Sequence, residues 1–114
     1  LANDFPDTRF ILSHLGGMMQ LDRIAESANV YLDTAAIPLL YDSNIYKSAV
    51  EQMGAERILF GSDYPLRTFP KSQTEPEFVS HIDQIQNSSL SDQNKALILG
   101  GNFTRLFASD EIVE

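Results

Sequence analysis

The fold of this chain is decided by the stretch Arg57-Ile58-Leu59-Phe60-Gly61-Ser62-Asp63-Tyr64-Pro65. Its apolar run is short and rich in branched and aromatic residues, which is typical of a strand buried on both faces. Pro65 has no N–H group and cannot extend a β-ladder, so the strand must end close to Asp63. The stretch therefore predicts a buried strand that has a carboxylate at its carboxyl end.

Two similar runs lie earlier in the chain. Residues 10–12 are apolar and lead to Ser13 and His14, and residues 30–32 lead to Asp33 and Thr34. Helical patterns separate the runs, at spacings of roughly 20 to 30 residues that favour right-handed βαβ crossovers. The sequence therefore predicts an α/β fold with three consecutive parallel βα units.

The helical patterns also have predicted limits. A helix is expected over residues 18–28, and a second from Asp42 or Ser43 to about residue 53, with Gly54 as its C-terminal glycine. Residues 35–41 are expected to form a loop or a broken turn. A third helix is expected to start near residue 75, with its apolar side chains directed inward at the positions Phe78, Val79, Ile82 and Ile85. Ser89 and Ser91 are alternative caps for the next helix, which Gly100-Gly101 should end, and Asn102 could cap a last short helix.

Three polar side chains follow the three predicted strands: His14, Asp33 and Asp63. Parallel α/β proteins bind ligands beyond the carboxyl ends of their strands, so these side chains are expected to face one shared opening. Asp63 could be a metal ligand or a general base, or a turn residue that binds its own backbone. His14 could be a metal ligand, a general acid or a partner of a substrate oxyanion, or it could be satisfied by a nearby backbone group.

The remaining candidates have simpler interpretations. Asp33 is expected to support the site rather than to react. Arg67 could hold a substrate carboxylate through two hydrogen bonds, or it could be an ordinary surface arginine of the loop 66–74. His81 falls in the third predicted helix and is expected to be exposed or partly buried.

Composition limits the classes of function. The chain has 114 residues, 16 acidic and 8 basic side chains and a formal charge of -8, which disfavours nucleic acid and anionic membranes as partners. It has no cysteine, so disulfides and thiolate chemistry are excluded for these residues. We expect a cytoplasmic protein, and since Leu1 is not a methionine, we expect residues to precede it.

Four segments together resemble the amidohydrolase-related family. Residues 5–17, which include Ser13-His14-Leu15-Gly16-Gly17, look like its sixth-strand segment, and residues 29–35 look like its seventh. Residues 54–65 look like its eighth. The stretch Ile98-Leu99-Gly100-Gly101-Asn102-Phe103-Thr104-Arg105-Leu106-Phe107 resembles the terminal helix signature of the family.

The resemblance implies a metal-dependent hydrolase or decarboxylase on a (β/α)₈ TIM barrel, with zinc as the expected ion and a small carboxylic acid derivative as substrate. In such enzymes an aspartate that matches Asp63 binds the metal or takes a proton from the attacking water. A histidine that matches His14 lies beside the metal and assists acid–base steps.

The chain lacks parts of the pattern of that family. The family has a His-x-His pair on its first strand and a histidine on its fifth, and neither has a counterpart in this chain. A complete barrel needs about 250 residues, so residues 1–114 would be the C-terminal portion of one domain, inactive alone. The alternative is a non-catalytic α/β module that binds a small acid, or a half-barrel that pairs with a partner, for example as a homo-oligomer.

Overall fold

A computed structural model describes residues 1–65 and 75–108 of the chain. Its sheet has three strands in the order β1-β2-β3: β1 Phe10–Leu12, β2 Val30–Asp33 and β3 Ile58–Leu59. Both strand pairs are parallel, with Leu12 beside Leu32 and Leu32 beside Ile58. The predicted strands and their parallel order are confirmed.

Six α-helices lie in the described residues: α1 Leu21–Ile24, α2 Ile37–Leu40, α3 Ile45–Met53, α4 Val79–Gln86, α5 Asp92–Ala96 and α6 Asn102–Phe107. The end of helix α3 at Met53 and its terminal Gly54, at φ 88°, agree with the prediction, but the helix begins at Ile45, and Asn44 rather than Asp42 or Ser43 stands at its N-cap position. The helix predicted over residues 18–28 is confirmed only over Leu21–Ile24, because Met18 and Gln20 before it have positive φ, 57° and 55°, and turns follow it. The loop or broken turn expected over residues 35–41 contains one regular helical turn, α2, which accommodates Pro38 near its start.

Helix α4 begins four residues later than the expected start at residue 75. This shift changes which side chains point inward. Phe78 and Val79 are exposed rather than buried, whereas Ile85 and His81 are buried. The predicted inward face of this helix was therefore correct only in part.

The last helical segments are continuous. Ser91, one of the two alternatives, caps α5, because its Oγ accepts a hydrogen bond of 3.1 Å from the Asn94 N–H. Gly100 and Gly101 do not end the helix as predicted, because a π-helical turn over Leu97–Gly101 leads directly into α6. Asn102 is consequently not a cap.

One face of the sheet packs against the helices and forms the core. The cluster consists of apolar residues from every βα unit: Leu15, Leu21, Leu32, Ile37, Tyr46, Ala49, Met53, Ile58, Ile85, Leu90 and Ile98. The other face is open. Ile11 is 43% exposed there, and it borders a cavity of about 340 Å³ that Phe103 and Phe107 also line.

Side-chain clamps fasten the amino ends of the strands. Arg57, just before β3, donates through all three nitrogens of its guanidinium group to the carbonyls of Val30, Ala25 and Ser27. Buried Asn102 donates through Nδ2 to the carbonyls of Ala55 and Ile58. Asn29 similarly donates to the carbonyls of Ala2, Phe5 and Thr8.

No helix within residues 1–65 and 75–108 is long and apolar enough to span a membrane.

Candidate active site

The segment that follows β1 is a left-handed turn, which we call the His14 turn (residues 14–18). All five residues have positive φ, from 54° at Leu15 to 67° at Gly17. Glycine adopts this conformation readily, but each non-glycine residue costs roughly 1 kcal/mol or more. His14, Leu15 and Met18 therefore need compensating contacts, and Leu15 finds one in the core, where it is completely buried.

The carboxylate of Asp33 supplies the other compensation. Its Oδ1 accepts the backbone N–H of His14 and that of Ala35, both at 3.0 Å. Its Oδ2 accepts the hydroxyl of Ser13 at 3.1 Å. The supporting role expected for Asp33 is thus visible as three hydrogen bonds, two of which join the end of β2 to the segment after β1.

The imidazole of His14 is held by its own backbone contact. Nδ1 lies 2.7 Å from the carbonyl oxygen of Ala35, and because a carbonyl only accepts, Nδ1 must carry the proton. Among the described residues, Nε2 makes no hydrogen bond, so in the neutral ring its lone pair is available to a ligand. The backbone-satisfied alternative and the ligand alternative for His14 are therefore compatible.

The segment after β3, which we call the Asp63 turn (residues 61–64), is attached through Thr34. This threonine is 1% exposed, and its hydroxyl both donates to the Gly61 carbonyl and accepts from the Gly61 N–H, each at 3.0 Å. The Thr34 N–H also donates to the Leu59 carbonyl. Thr34 had no predicted role, because a single hydroxyl after a strand gives no sequence signal.

Asp63 itself is exposed and lies in the left-handed region at φ 62°. No hydrogen bond ties its carboxylate to another described residue. The backbone-bonded turn that was its alternative is instead made by Ser62, whose Oγ accepts the Tyr64 N–H at 3.2 Å. Because β1 and β3 both run parallel to β2, His14 and Asp63 follow strands at the same edge of the sheet.

His81 is the residue whose burial the sequence reasoning missed. It is 2% exposed on α4, and neither ring nitrogen has a hydrogen-bond partner among the described residues. The edge-to-face contact of Tyr64 with Phe78, at 5.7 Å between ring centroids, places the start of α4 against the Asp63 turn. Burial lowers the pKa of His81, while the carboxylates of Glu77 and Asp63 oppose this shift.

The donor set for a metal ion is incomplete. Within the described parts of the chain, no group of three or more His, Cys, Asp or Glu side chains could hold an ion. His14 Nε2 and the Asp63 carboxylate are both suitable zinc ligands, but a zinc site needs three or more protein ligands. Arg67, the candidate carboxylate anchor, lies outside the described residues.

The sequence matches the model of one protein family, described as amidohydrolase, over residues 1–108. This chain belongs to the amidohydrolase family. The match includes both the His14 turn and the Asp63 turn. No curated protein sequence gives a significant match to this amidohydrolase chain.

Several solved enzyme structures resemble the amidohydrolase chain. A 2,6-dihydroxybenzoate decarboxylase from Rhizobium superposes with a TM-score of 0.71 at 19% identity, and the match covers 92% of this chain and 36% of the decarboxylase. A Burkholderia multivorans amidohydrolase with bound zinc gives 0.65 at 18% identity, covering 91% and 45%. A dihydroxybenzoic acid decarboxylase from Polaromonas sp. JS666, with bound manganese and 2-nitroresorcinol, gives 0.65 at 22% identity, covering 92% and 35%.

These similarities establish the fold of the amidohydrolase chain. They confirm three consecutive parallel βα units that fit part of a (β/α)₈ barrel. The chain spans between about a third and a half of the length of these structures. The family and its structural neighbours are enzymes, hydrolases and decarboxylases among them.

Proposed function

We propose that residues 1–114 are the C-terminal part of a single (β/α)₈ domain, which acts as a metal-dependent hydrolase or decarboxylase. One observation carries the proposal: an imidazole whose Nε2 is available and a carboxylate without hydrogen bonds to other described residues follow strands at the same edge of a parallel sheet. Catalytic residues of (β/α)₈ enzymes come from the carboxyl ends of several strands. The open sheet face, with Ile11 exposed, is where the remaining strands of the domain would pack.

The proposed substrate is a small carboxylic acid or one of its derivatives. The reaction would be attack of water on a carboxylic derivative or lactone, or loss of CO₂ from a related acid. The resemblance to dihydroxybenzoate decarboxylases and to a zinc-containing amidohydrolase supports both branches. Arg67 is proposed to hold the substrate carboxylate through its planar guanidinium group.

His14 and Asp63 have distinct proposed roles. A divalent ion, which we propose to be zinc, would polarise the substrate carbonyl when bound, and His14 Nε2 and the Asp63 carboxylate would contribute to holding it. The carboxylate of Asp63 would take the proton of the attacking water. The imidazole of His14 would orient the substrate and exchange a proton through Nε2, since its Nδ1–H is engaged by the Ala35 carbonyl.

A non-catalytic half-barrel that pairs with a second copy is the second candidate. The open face favours it, because Ile11, Phe103 and Phe107 are all more than 40% exposed. Light scattering separates the candidates: a discrete dimer of the 114-residue chain supports the pairing module, whereas irregular aggregation supports an incomplete barrel.

The substitution Asp63→Asn in the complete domain tests the catalytic assignment. We expect kcat to fall by roughly 10²- to 10⁴-fold, the usual loss when a general base is removed. The melting temperature should hardly change, because the side chain is exposed and makes no hydrogen bond to a described residue. Steady-state kinetics with a dihydroxybenzoate and a lactone panel measures the first effect. Full activity of the variant would refute the assignment.

Zinc binding by the 114-residue chain tests the domain assignment. With two of the three or more ligands that zinc requires, the chain should bind the ion more weakly than the micromolar range. Isothermal titration calorimetry measures this affinity directly. Micromolar or tighter binding that Asp63→Asn abolishes would mean that the chain holds a complete site and that the incomplete-domain proposal is wrong.

A further inference from the structure

We propose that Asp33 is a positioning residue, which fixes the His14 turn and thereby selects the neutral form of His14 that carries its proton on Nδ1. The inference rests on the proposed function in one respect, namely that the Nε2 of His14 faces the ligand. The proton position itself is a property of the fold and can be measured without any activity.

A closed ring of hydrogen bonds joins His14 to Ala35. Oδ1 of Asp33 accepts the backbone N–H of His14 and the backbone N–H of Ala35, each at 3.0 Å. The imidazole of His14 then returns to Ala35 through Nδ1, 2.7 Å from its carbonyl oxygen. His14 and Ala35 are thus joined twice, once by the carboxylate of Asp33 and once by the imidazole.

The backbone conformation of His14 makes the hydrogen bond from its imidazole to Ala35 dependent on the bond from its N–H to Asp33. His14 has φ 57°, a conformation that a residue with a side chain adopts only when other contacts stabilise it. The hydrogen bond from the His14 N–H to a charged oxygen is the contact that acts on this residue directly. Without it, the backbone of His14 is free to relax towards negative φ, and the imidazole loses its approach to the Ala35 carbonyl.

The proton position follows from the acceptor. In free histidine the neutral form with the proton on Nε2 predominates, so the fold selects the less common form. The Ala35 carbonyl oxygen can only accept a hydrogen bond. The proton of the neutral imidazole therefore stays on Nδ1, which donates to this oxygen. The lone pair of Nε2 then remains on the side of the ring that a ligand can reach, as is usual for metal-binding histidines whose other nitrogen binds a backbone carbonyl.

Long-range ¹H–¹⁵N NMR of the imidazoles tests the inference. The chain has only two histidines, so the signals of His14 and His81 can be assigned by single substitutions. The spectra are recorded under mildly alkaline conditions, in which free imidazole is neutral. His81 serves as an internal control, since no hydrogen bond links it to Asp33.

Three variants separate the parts of the network. Asp33→Ala removes the acceptor, and we expect the ratio of the Nδ1–H form to the Nε2–H form of His14 to fall roughly tenfold or more. Asp33→Asn keeps an oxygen that can accept from His14 and Ala35 without the charge, so it should preserve most of the Nδ1–H signal. Ser13→Ala removes only the bond to Oδ2 and should leave the signal unchanged.

Two results would overturn the inference: an Nε2–H form of His14 in the wild-type chain, or an unchanged ratio in a folded Asp33→Ala variant. If Asp33→Ala does not fold, Asp33→Leu offers similar volume without an acceptor, and the wild-type spectrum still decides the proton position. In the complete domain, Asp33→Ala should lower kcat or metal affinity roughly 10- to 100-fold, with recovery in Asp33→Asn. An inactive wild-type domain with the expected spectrum would refute the proposed function and leave the proton position established.

Discussion

The His14 turn and the Asp63 turn occupy equivalent places after their strands, yet they are held in opposite ways. In the His14 turn, the candidate side chain itself is bonded, through Nδ1, and the backbone of the turn is tied by Asp33. In the Asp63 turn, the carboxylate is exposed, and the attachment lies two residues earlier, where Thr34 binds Gly61.

The difference indicates which of the two side chains is oriented by the protein before a ligand binds. The orientation of the His14 ring is fixed by a hydrogen bond that no ligand needs to replace. Asp63 has no such bond among the described residues, so a ligand can engage both carboxylate oxygens without displacing a protein partner. An oriented imidazole at the same edge of the sheet as a carboxylate without hydrogen bonds to described residues would suit a site in which the carboxylate binds the incoming cation or water.

Among the substitutions that test how the two turns are held, Thr34→Val is expected to change the free energy of unfolding most. Valine has the same shape but leaves the N–H and carbonyl of Gly61 without their buried partner, so the free energy of unfolding should fall by about 2–3 kcal/mol. Urea denaturation measures the loss. Thr34→Ser is the matched control, because it keeps the hydroxyl and should lose about 1 kcal/mol or less.

The same experiment can break the comparison. If Thr34 holds only the Asp63 turn, Thr34→Val should leave the imidazole NMR signals of His14 unchanged. A shift of these signals as large as that expected for Asp33→Ala would mean that the two turns are one unit rather than two independently held segments.

Two glycine substitutions test the His14 turn, and we expect them to lower the free energy of unfolding less than Thr34→Val does. Gly16 and Gly17 have similar φ values, 62° and 67°, so alanine should cost roughly 1 kcal/mol of backbone strain at each. A Cβ at Gly16 would also lie 3.3 Å from Leu32 Cδ2, whereas at Gly17 its nearest neighbour is 3.9 Å away. We expect Gly16→Ala to lose about 2 kcal/mol and Gly17→Ala about 1 kcal/mol.

Chemical denaturation of both variants measures this difference. Equal losses would show that the core behind the turn yields to an added methyl group, and that only the backbone conformation matters. A Gly17→Ala variant of wild-type stability would contradict the left-handed turn itself.

His81→Leu should change the free energy of unfolding least, and it should raise this energy rather than lower it. Leucine removes two buried nitrogens that lack partners among the described residues, so we expect the free energy of unfolding to rise by about 1 kcal/mol. His14 offers no such gain, because its Nδ1 is bonded. Thermal unfolding at neutral pH measures the effect, and a clear loss of stability in His81→Leu would contradict it.

The same residue gives a pH dependence. Burial lowers the pKa of His81 in the folded protein, so the unfolded chain binds a proton first as the pH falls. The contribution of His81 to stability is therefore complete above the ordinary histidine pKa of about 6.5 and is lost as the pH drops below it. The part of the pH dependence of the free energy of unfolding that is due to His81 should disappear in both His81→Leu and His81→Gln. Only His81→Leu should gain stability at neutral pH.

The sequence was sufficient to predict the three parallel strands and the positions of His14, Asp33 and Asp63 at their ends. These features depend on local apolar runs and on the general handedness of βαβ units. The left-handed conformation of His14 could not be predicted in this way. It depends on Asp33, a residue 19 positions away, whose carboxylate outweighs the local preference for negative φ.

The burial of His81 was missed for a different reason. Glu75, Pro76 and Glu77 have the composition of a helix first turn and therefore indicate a start near residue 75, but α4 begins at Val79. Glu77 instead precedes the helix and accepts the N–H of Ser80 at 2.9 Å, as a capping side chain does. Composition alone does not distinguish a first turn from a capping segment, and the inward face of the helix depends on that distinction.

The clamps formed by Arg57, Asn102 and Asn29 give the two ends of the sheet different tolerance to sequence change. All three side chains donate to backbone carbonyls at the amino ends of the strands, which any sequence provides. These three clamps use no side chain from the opposite end of the sheet, where Asp33 and Thr34 hold the two turns. Loops there can diversify for new substrates while the anchoring end stays the same, so one barrel can evolve many chemistries.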